Sequence, residues 1–412
     1  MTTLNSNTEY FLKLVSQYLE SGGKNHSTPD FAPMANFSEI LKIAVHNKCD
    51  LFVYHTIWRW GVEYGLDETT LRAFKNRMLF TAISQLRADA ELKEVIHELN
   101  LAGVKFMLLK GVILSQLYPD PAYRRSFDAD IHVSDEFAER AVKVLTDRGY
   151  IYIPKESIKY EKTFQLNEIL TVEIHTKLFE SFYEKNKATI AAAELESPSN
   201  RKEIRVFDTL VETLSPNHFL IYVICHHTKH FIASGINLRH LIDICVYVNR
   251  YNEQLNWEYI VSILDRFGIK DFALNLLFIC QHHLGMVDLS FLYQDIEEDV
   301  VSMLMYDIIE RNADNEGTTK RASAHDIVHA AYFRNSNRNI NIFKANYFPK
   351  GSSLSSKYMY ARKHPILLPI AWLHRAFSYF WRKMRGNTVV SPAERAKVAN
   401  ERIELLKRVR IL

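Results

Sequence analysis

The chain has 412 residues, 47% of them hydrophobic and 24% charged, which places it among ordinary globular proteins with enough apolar residues for two or three domains. No run of about 18 uninterrupted apolar residues occurs, which argues against a membrane span. The opening MTTLNSNTEY also lacks the basic and apolar segments of an export signal. The net charge of +3 is unevenly placed: residues 351–412 hold 13 Lys/Arg against 3 Glu, and the rest of the chain 38 Lys/Arg against 45 Asp/Glu. The four cysteines, Cys49, Cys225, Cys245 and Cys280, show no C-x-x-C spacing and sit in apolar stretches, so reduced thiols and a cytoplasmic location are expected.

In chain order, residues 8 to 100 repeat apolar positions at three- and four-residue intervals. The pattern is clearest at Leu71, Phe74, Met78, Leu79, Ile83, Leu86, Val95, Ile96 and Leu99 and predicts an N-terminal helical region over 1–100. Asp67 to Thr70 offers oxygen acceptors to the first turn of its long helix. From 101 to 214 the pattern changes to an α/β core. Val104–Leu109 is a short apolar strand ended by Lys110-Gly111, Phe127–Val133 alternates strictly as a second strand, and a helix over 136–148 closes at Gly149. Alternating strands follow over 160–167 and 169–178, then a surface connection over 184–204 and one more strand at Arg205–Leu214. Helical periodicity dominates 217–312, within a helical domain spanning 215–345, with polar loops at 312–321 and 335–341. A basic amphipathic segment over 346–412 ends the chain. The fold class is therefore α+β: a small mixed sheet with flanking helices, plus helical regions on either side in sequence.

The period of two in Phe127–Val133 puts Phe127, Ala129, Ile131 and Val133 on one face and Asp128, Asp130 and His132 on the other. In Thr171–His175 the same alternation turns Val172 and Ile174 inward and leaves Thr171, Glu173 and His175 opposite. If the two strands are neighbours, Glu173 joins the Asp128–Asp130 pair. Three carboxylates repel unless a cation neutralises them, and hard oxygen donors select Mg²⁺ or Mn²⁺ over zinc. Two such ions bridge nucleotide phosphates, activate a hydroxyl and stabilise leaving pyrophosphate.

Lys110-Gly111 suits a tight strand-to-helix turn where backbone N–H groups meet phosphate oxygens, or an ordinary strand end. Arg124 and Arg125 lie just ahead of the D-x-D strand, placed either for phosphate or for salt bridges to the carboxylates. His226 and His230 stand one helical turn apart, a spacing that suits zinc, but His227 replaces the glutamate that an H-E-x-x-H protease needs. In the tail, residues 364–384 combine apolar and aromatic residues with flanking cations. That pattern fits packing on the body, an oligomer contact, an anionic partner such as RNA, or a membrane surface.

Four blocks together, LLKG at 108–111, YPDPAYRRSFDADIHV at 118–133, VEIHTKL at 172–178 and HHTKHFIASGINLRHLIDI at 226–244, resemble the bacterial nucleotidyltransferase-like family of the DNA polymerase β superfamily, over roughly residues 30–345. The resemblance implies a mixed nucleotidyltransferase sheet, with Asp128, Asp130 and Glu173 as catalytic metal ligands and Glu173 helping to deprotonate the acceptor. It also implies transfer of a nucleoside monophosphate from a nucleoside triphosphate, ATP foremost, with Mg²⁺ or Mn²⁺ and release of pyrophosphate. Lys110, Gly111, Arg124 and Arg125 are then expected to meet the triphosphate. Lys229, His230 and Arg239 are expected to face substrate, with Asp243 orienting one of them. One departure stands out: the superfamily usually places Gly-Ser or Gly-Gly where this chain has Lys110-Gly111-Val112. The acceptor is open among a sugar, a small molecule, a protein and an RNA end. The alternative is a non-catalytic scaffold of the same fold, acting through its basic tail.

Overall fold

The computed structural model describes residues 4–24, 36–58, 65–154, 161–179, 194–310, 356–385 and 390–412, together with isolated positions 192, 324, 327, 328, 348, 351 and 354. The polar loops expected at 312–321 and 335–341 lie outside the described residues, as do 184–191 and 193 of the connection expected over 184–204, whose last residues, from Arg201, are a strand instead. The chain divides into two compact units, Met1–His227 with Asn237–Ala313, and Thr228–Ile236 with Asp314–Leu412.

In the first unit, α1 (Ser6–Glu20), α2 (Phe37–His46), α3 (Asp50–Ile57) and α4 (Glu68–Leu101) precede the sheet. Asn5, Asn36 and Asp67 each accept a hydrogen bond from the first turn of the helix they open, satisfying donors that the helix leaves unpaired. The long α4 buries Thr81, Gln85, Ala88, Leu92, Val95, Ile96 and Leu99. Leu79, Ile83 and Leu86 keep the helical spacing but are exposed. The inward face begins with polar residues because Gln85 is needed there: its Oε1 accepts from Ser126 N and its Nε2 donates to Asp89.

One mixed seven-stranded sheet follows, with helices flanking it. Its strands are β1 (Phe106–Leu109), β2 (Asp128–Val133), β3 (Ile151–Ile153), β4 (Glu161–Leu166), β5 (Leu170–His175), β6 (Arg201–Val206) and β7 (Thr209–Leu214), in the spatial order β3-β4-β5-β2-β1-β7-β6. The β2–β5 and β1–β7 pairs are parallel and the others antiparallel. The short α5 (Gly111–Ser115) leaves β1, and α6 (Asp135–Asp147) joins β2 to β3. Two strands differ from expectation. The single strand expected at Arg205–Leu214 is a hairpin turning at Phe207-Asp208, with Phe207 at φ +52°. No glycine or asparagine marks that turn, so the usual hairpin signal is missing. The exposed edge strand β3 is three residues long, too short for alternation to register.

After the sheet, the described residues form the helices α7 (Pro216–Ala233, in which the boundary between units falls), α8 (Leu238–Tyr251), α9 (Trp257–Arg266), α10 (Lys270–Leu284) and α11 (Glu298–Met305). Their core is apolar, with Phe219, Leu220, Leu241, Ile242, Phe272 and Leu276 wholly buried.

The second unit contains α12 (Met359–Lys363), α13 (Leu368–Met384) and α14 (Pro392–Arg408). Leu354, Tyr358, Ala361 and Ala371 form a small core there. Ser391 and Glu394 make a reciprocal capping box at the start of α14, and the Arg402 guanidinium lies 4.5 Å from the Phe231 ring centroid and donates to the Phe231 carbonyl.

Candidate functional site

The register of β2 against β5 pairs Asp128 with Thr171, Asp130 with Glu173, and His132 with His175. Directly paired residues project to the same side of a sheet. Asp128, Asp130, Glu173 and His175 therefore share one face, while Ala129, Ile131, Val172 and Ile174 pack on the other. Ligand atoms of Asp130, Glu173 and His175 all lie within 4.8 Å of one another. Among the described residues this is the group of metal-ligating side chains that the fold gathers, and neither His226 nor His230 belongs to it.

The Nε2–H of His175 donates to Asp130 Oδ1 at 3.0 Å, and the same nitrogen stands 3.8 Å from Glu173 Oε2. The Lys110 ammonium lies 2.8 Å from Asp130 Oδ1 and 3.0 Å from His226 Nε2. Asp130 is buried, which alone raises its pKa. Lys110 and His175 outweigh burial and hold the carboxyl well below its ordinary range. Asp128 is exposed, and its Oδ1 accepts from Ser126 Oγ at 3.0 Å. Next along the strand, His132 is pushed down to about 4, by burial first and then by Arg201.

Lys110 reaches Asp130 from an unusual backbone. Its φ is +46° and ψ −100°, a conformation that L-residues with a Cβ rarely adopt, at the corner where β1 gives way to α5. The next residue must be small: a Cβ on Gly111 would stand 3.0 Å from Ser126 Oγ and 3.2 Å from the Asp128 carbonyl oxygen.

Arg124 is buried. Its Nε and Nη2 donate to the two oxygens of Asp243 at 2.7 and 2.9 Å, and its Nη1 donates to the Gly111 carbonyl at 3.0 Å. Tyr118 Oη donates to the same Asp243 at 2.6 Å, so Asp243 on α8 is tied to both the segment ahead of β2 and the turn after β1. Arg125 pairs with Asp50, which also accepts from Arg77 Nε at 2.9 Å. Arg239 stands 3.8 Å from Asp243, and its Nε, like that of Arg125, is buried with no hydrogen-bond partner among the described residues.

Lys48, at φ +58° between α2 and α3, completes a cationic group. Its side chain reaches solvent within electrostatic range of Arg239, Arg125, Arg124 and Asp128. Its amine is pushed down to about 8, first by the Arg239 guanidinium and then by desolvation, with Asp128 pulling the other way. Lys229 and His230 fall in the second unit and Arg239 and Asp243 in the first.

Sequence reading did not single out Lys48, Asp50, His175 or His226 as members of the site. His175 carried a signal, the alternation that exposes Glu173. Lys48 and Asp50 carried none, because only the packing of the N-terminal helices brings them near β2.

With this geometry in view, the chain belongs to the family described as uncharacterised nucleotidyltransferase, which it matches over residues 33–285, more than half its length. Among curated proteins none matches. A solved structure, that of an antigenic nucleotidyltransferase-like protein from Paracoccidioides brasiliensis, aligns at 12% identity with a TM-score of 0.32, covering 51% of this chain and 97% of that one.

A nucleotidyltransferase family implies a divalent metal, and the chemistry of the donor set bears on it. Two carboxylates in direct register, with Asp128 two residues away on the same face, are hard oxygen donors that could hold a divalent cation, and the His175 imidazole stands within reach of them as a further ligand. The Lys110 ammonium already drawn to Asp130 marks the place as one that calls for positive charge. The residues fit the ion.

Proposed function

We propose that the protein transfers a nucleoside monophosphate from a nucleoside triphosphate, ATP foremost, to a hydroxyl of an acceptor. The observation that carries this reading is the register Asp130↔Glu173 on parallel neighbouring strands, with Asp128 on the same face, in a chain of nucleotidyltransferase family. Asp128, Asp130 and Glu173 would hold Mg²⁺ or Mn²⁺, which when bound neutralises phosphate charge and lowers the pKa of a hydroxyl. Glu173, half-buried at the edge of the cluster, takes the acceptor proton as the acceptor oxygen bonds to the α-phosphorus. The bond from that phosphorus to the bridging oxygen breaks and pyrophosphate leaves. Lys48, Arg239 and Arg125 offer the positive potential that a polyphosphate needs. His175 fixes the orientation of Asp130, and Arg124 with Asp243 positions the Gly111 turn. The four cysteines are buried free thiols, which supports a reducing, cytoplasmic setting.

Incubation with each α-labelled nucleoside triphosphate, Mg²⁺ or Mn²⁺ and a cell extract should transfer label to an acceptor. Asp128→Asn should lower transfer roughly 100-fold or more while leaving the fold intact. Equal labelling by that variant would sink the proposal.

One observation favours a second reading, a non-catalytic scaffold. Lys110 supplies Asp130 with a cation of its own, which an inactive relative needs in place of a metal. Calorimetry separates the two. The enzyme binds nucleoside triphosphate only with Mg²⁺ or Mn²⁺ present, and the scaffold shows no metal-linked affinity.

A further inference from the structure

A helix on the surface of a globular protein ordinarily turns its apolar stripe inward and its polar residues out. In the second unit α13 and the turn before it present a long apolar stripe outward as well. Ile366, Ile370, Leu373, Phe377, Phe380 and Met384 recur at spacings of four, three, four, three and four residues, and all are exposed, Ile366 at 87% and Leu373 at 72%. The intervening exposed positions, Pro369, Ala376 and Trp381, are apolar as well. The residues turned the other way are mixed: Ala371, wholly buried, and the half-buried Leu368, Trp372, His374, Arg375, Ser378 and Tyr379. The exposed stripe is thus continuous for about five turns, or roughly 28 Å.

Charge decides what covers it. Between residues 351 and 393 there are seven Lys/Arg and no Asp or Glu. They gather at both ends of the stripe, with Arg362 and Lys363 ahead of Ile366 and Arg382, Lys383 and Arg385 around Met384. Pairing with a second copy of the same helix would bring cations against cations whether the two ran parallel or antiparallel. An anionic bilayer surface accepts both features at once: the apolar side chains enter the acyl boundary and the terminal cations meet the headgroups. No helix among the described residues is long and apolar enough to cross a membrane, and the outward stripe of α13 is that of a helix lying in the interface.

We propose that the stripe Ile366–Met384 is a docking surface for an anionic lipid bilayer. This inference is independent of the nucleotidyl-transfer reading.

The test is sedimentation of the full chain with vesicles of phosphatidylcholine alone and of phosphatidylcholine in which a third of the lipid is phosphatidylserine. The protein should pellet with the anionic vesicles, and raised salt should weaken that binding. The double variant Phe377→Glu, Phe380→Glu replaces exposed side chains only, so its circular dichroism and melting should match those of the wild type while vesicle binding falls at least tenfold. Lys363→Gln with Arg385→Gln should lower affinity for the anionic vesicles by roughly an order of magnitude and leave phosphatidylcholine binding unchanged. Three results would overturn the proposal: no pelleting with anionic vesicles, pelleting unaffected by the Phe377 and Phe380 changes in a folded variant, or a dimer in analytical ultracentrifugation that those changes abolish.

Discussion

Lys110 and Gly111 show how closely two adjacent residues constrain the carboxylates. Lys110 occupies a positive-φ corner that costs of order 1–3 kcal/mol, and the conformation persists because the turn is held from several sides. Arg124 grips the Gly111 carbonyl, and the Gly111 Cα lies against the start of β2. A methyl group there meets the Asp128 carbonyl, a backbone atom with no rotamer to escape into. Gly111→Ala should therefore separate the end of β1 from the start of β2, at a cost of about 1–3 kcal/mol. Its consequence for turnover should exceed its consequence for folding, since both Lys110 and Asp128 move with the turn. A fall of roughly 10- to 100-fold in kcat/KM, with a melting curve only modestly lowered, is the expected outcome. Wild-type kinetics in Gly111→Ala would show that the close approach is not needed for function.

Between elements, the Arg124–Asp243 pair fastens α8 to the segment that leads into β2. Burial by itself pushes the Asp243 carboxyl up. The Arg124 guanidinium and its hydrogen bonds, with Arg239 behind them, outweigh that and hold it at about 2, against an ordinary 3.8. Folding thus favours the charged form, so the contribution is complete above pH 3.8 and is lost as the pH falls through 2. His132, pushed down to about 4, adds an earlier window: between 6.5 and 4 the unfolded chain takes up a proton that the folded chain refuses. Urea midpoints should fall in two stages as the pH is lowered, and Asp243→Asn should shrink the lower stage to the part that Asp130, also held below its ordinary range, contributes. Arg124→Gln should cost about 3–5 kcal/mol at neutral pH, because it takes from a buried carboxylate its bidentate partner and leaves only Arg239, at 3.8 Å, and the Tyr118 hydroxyl. A single-stage acid profile identical in wild type and Asp243→Asn would refute this account.

The same scale shows what the sequence discloses. Strict alternation gave the faces of β2 and β5, so Asp128, Asp130 and Glu173 were legible as candidates from single strands. Their meeting was conditional on adjacency, which the parallel register of β2 and β5 now supplies. The reciprocal pairing of Arg124 with Asp243 was not legible, because 119 residues separate the two and nothing local selects one acidic residue over another. That Leu79, Ile83 and Leu86 of α4 face outward was not legible for a related reason. Periodicity locates an apolar face but not the polar residues, such as Gln85, that a neighbouring strand draws inward.

Across the whole first unit, the site collects residues from the full span of the family match. Lys48 comes from the N-terminal helices, Lys110 from the β1 turn, Asp128 and Asp130 from β2, Glu173 from β5, His226 from α7 and Arg239 from α8, all within 33–285. A ligand that engages these groups bridges segments far apart in sequence, so its binding energy should appear as stability of the unit rather than of one loop. Metal and nucleotide should also be interdependent. The polyphosphate brings negative charge next to carboxylates that only a cation can offset, and the cation is poorly held while Lys110 competes for Asp130. At ligand concentrations near 100 times Kd, linkage adds about 2.7 kcal/mol. For a unit of this size that corresponds to a rise of roughly 5–10 °C in Tm. Melting curves should show that rise with nucleoside triphosphate and Mn²⁺ together, little change with either alone, and full reversal by chelator. A shift of equal size with nucleotide in the presence of chelator would mean that the cationic group of Lys48 and Arg239 binds polyphosphate without help from the carboxylates, and the metal assignment would fall.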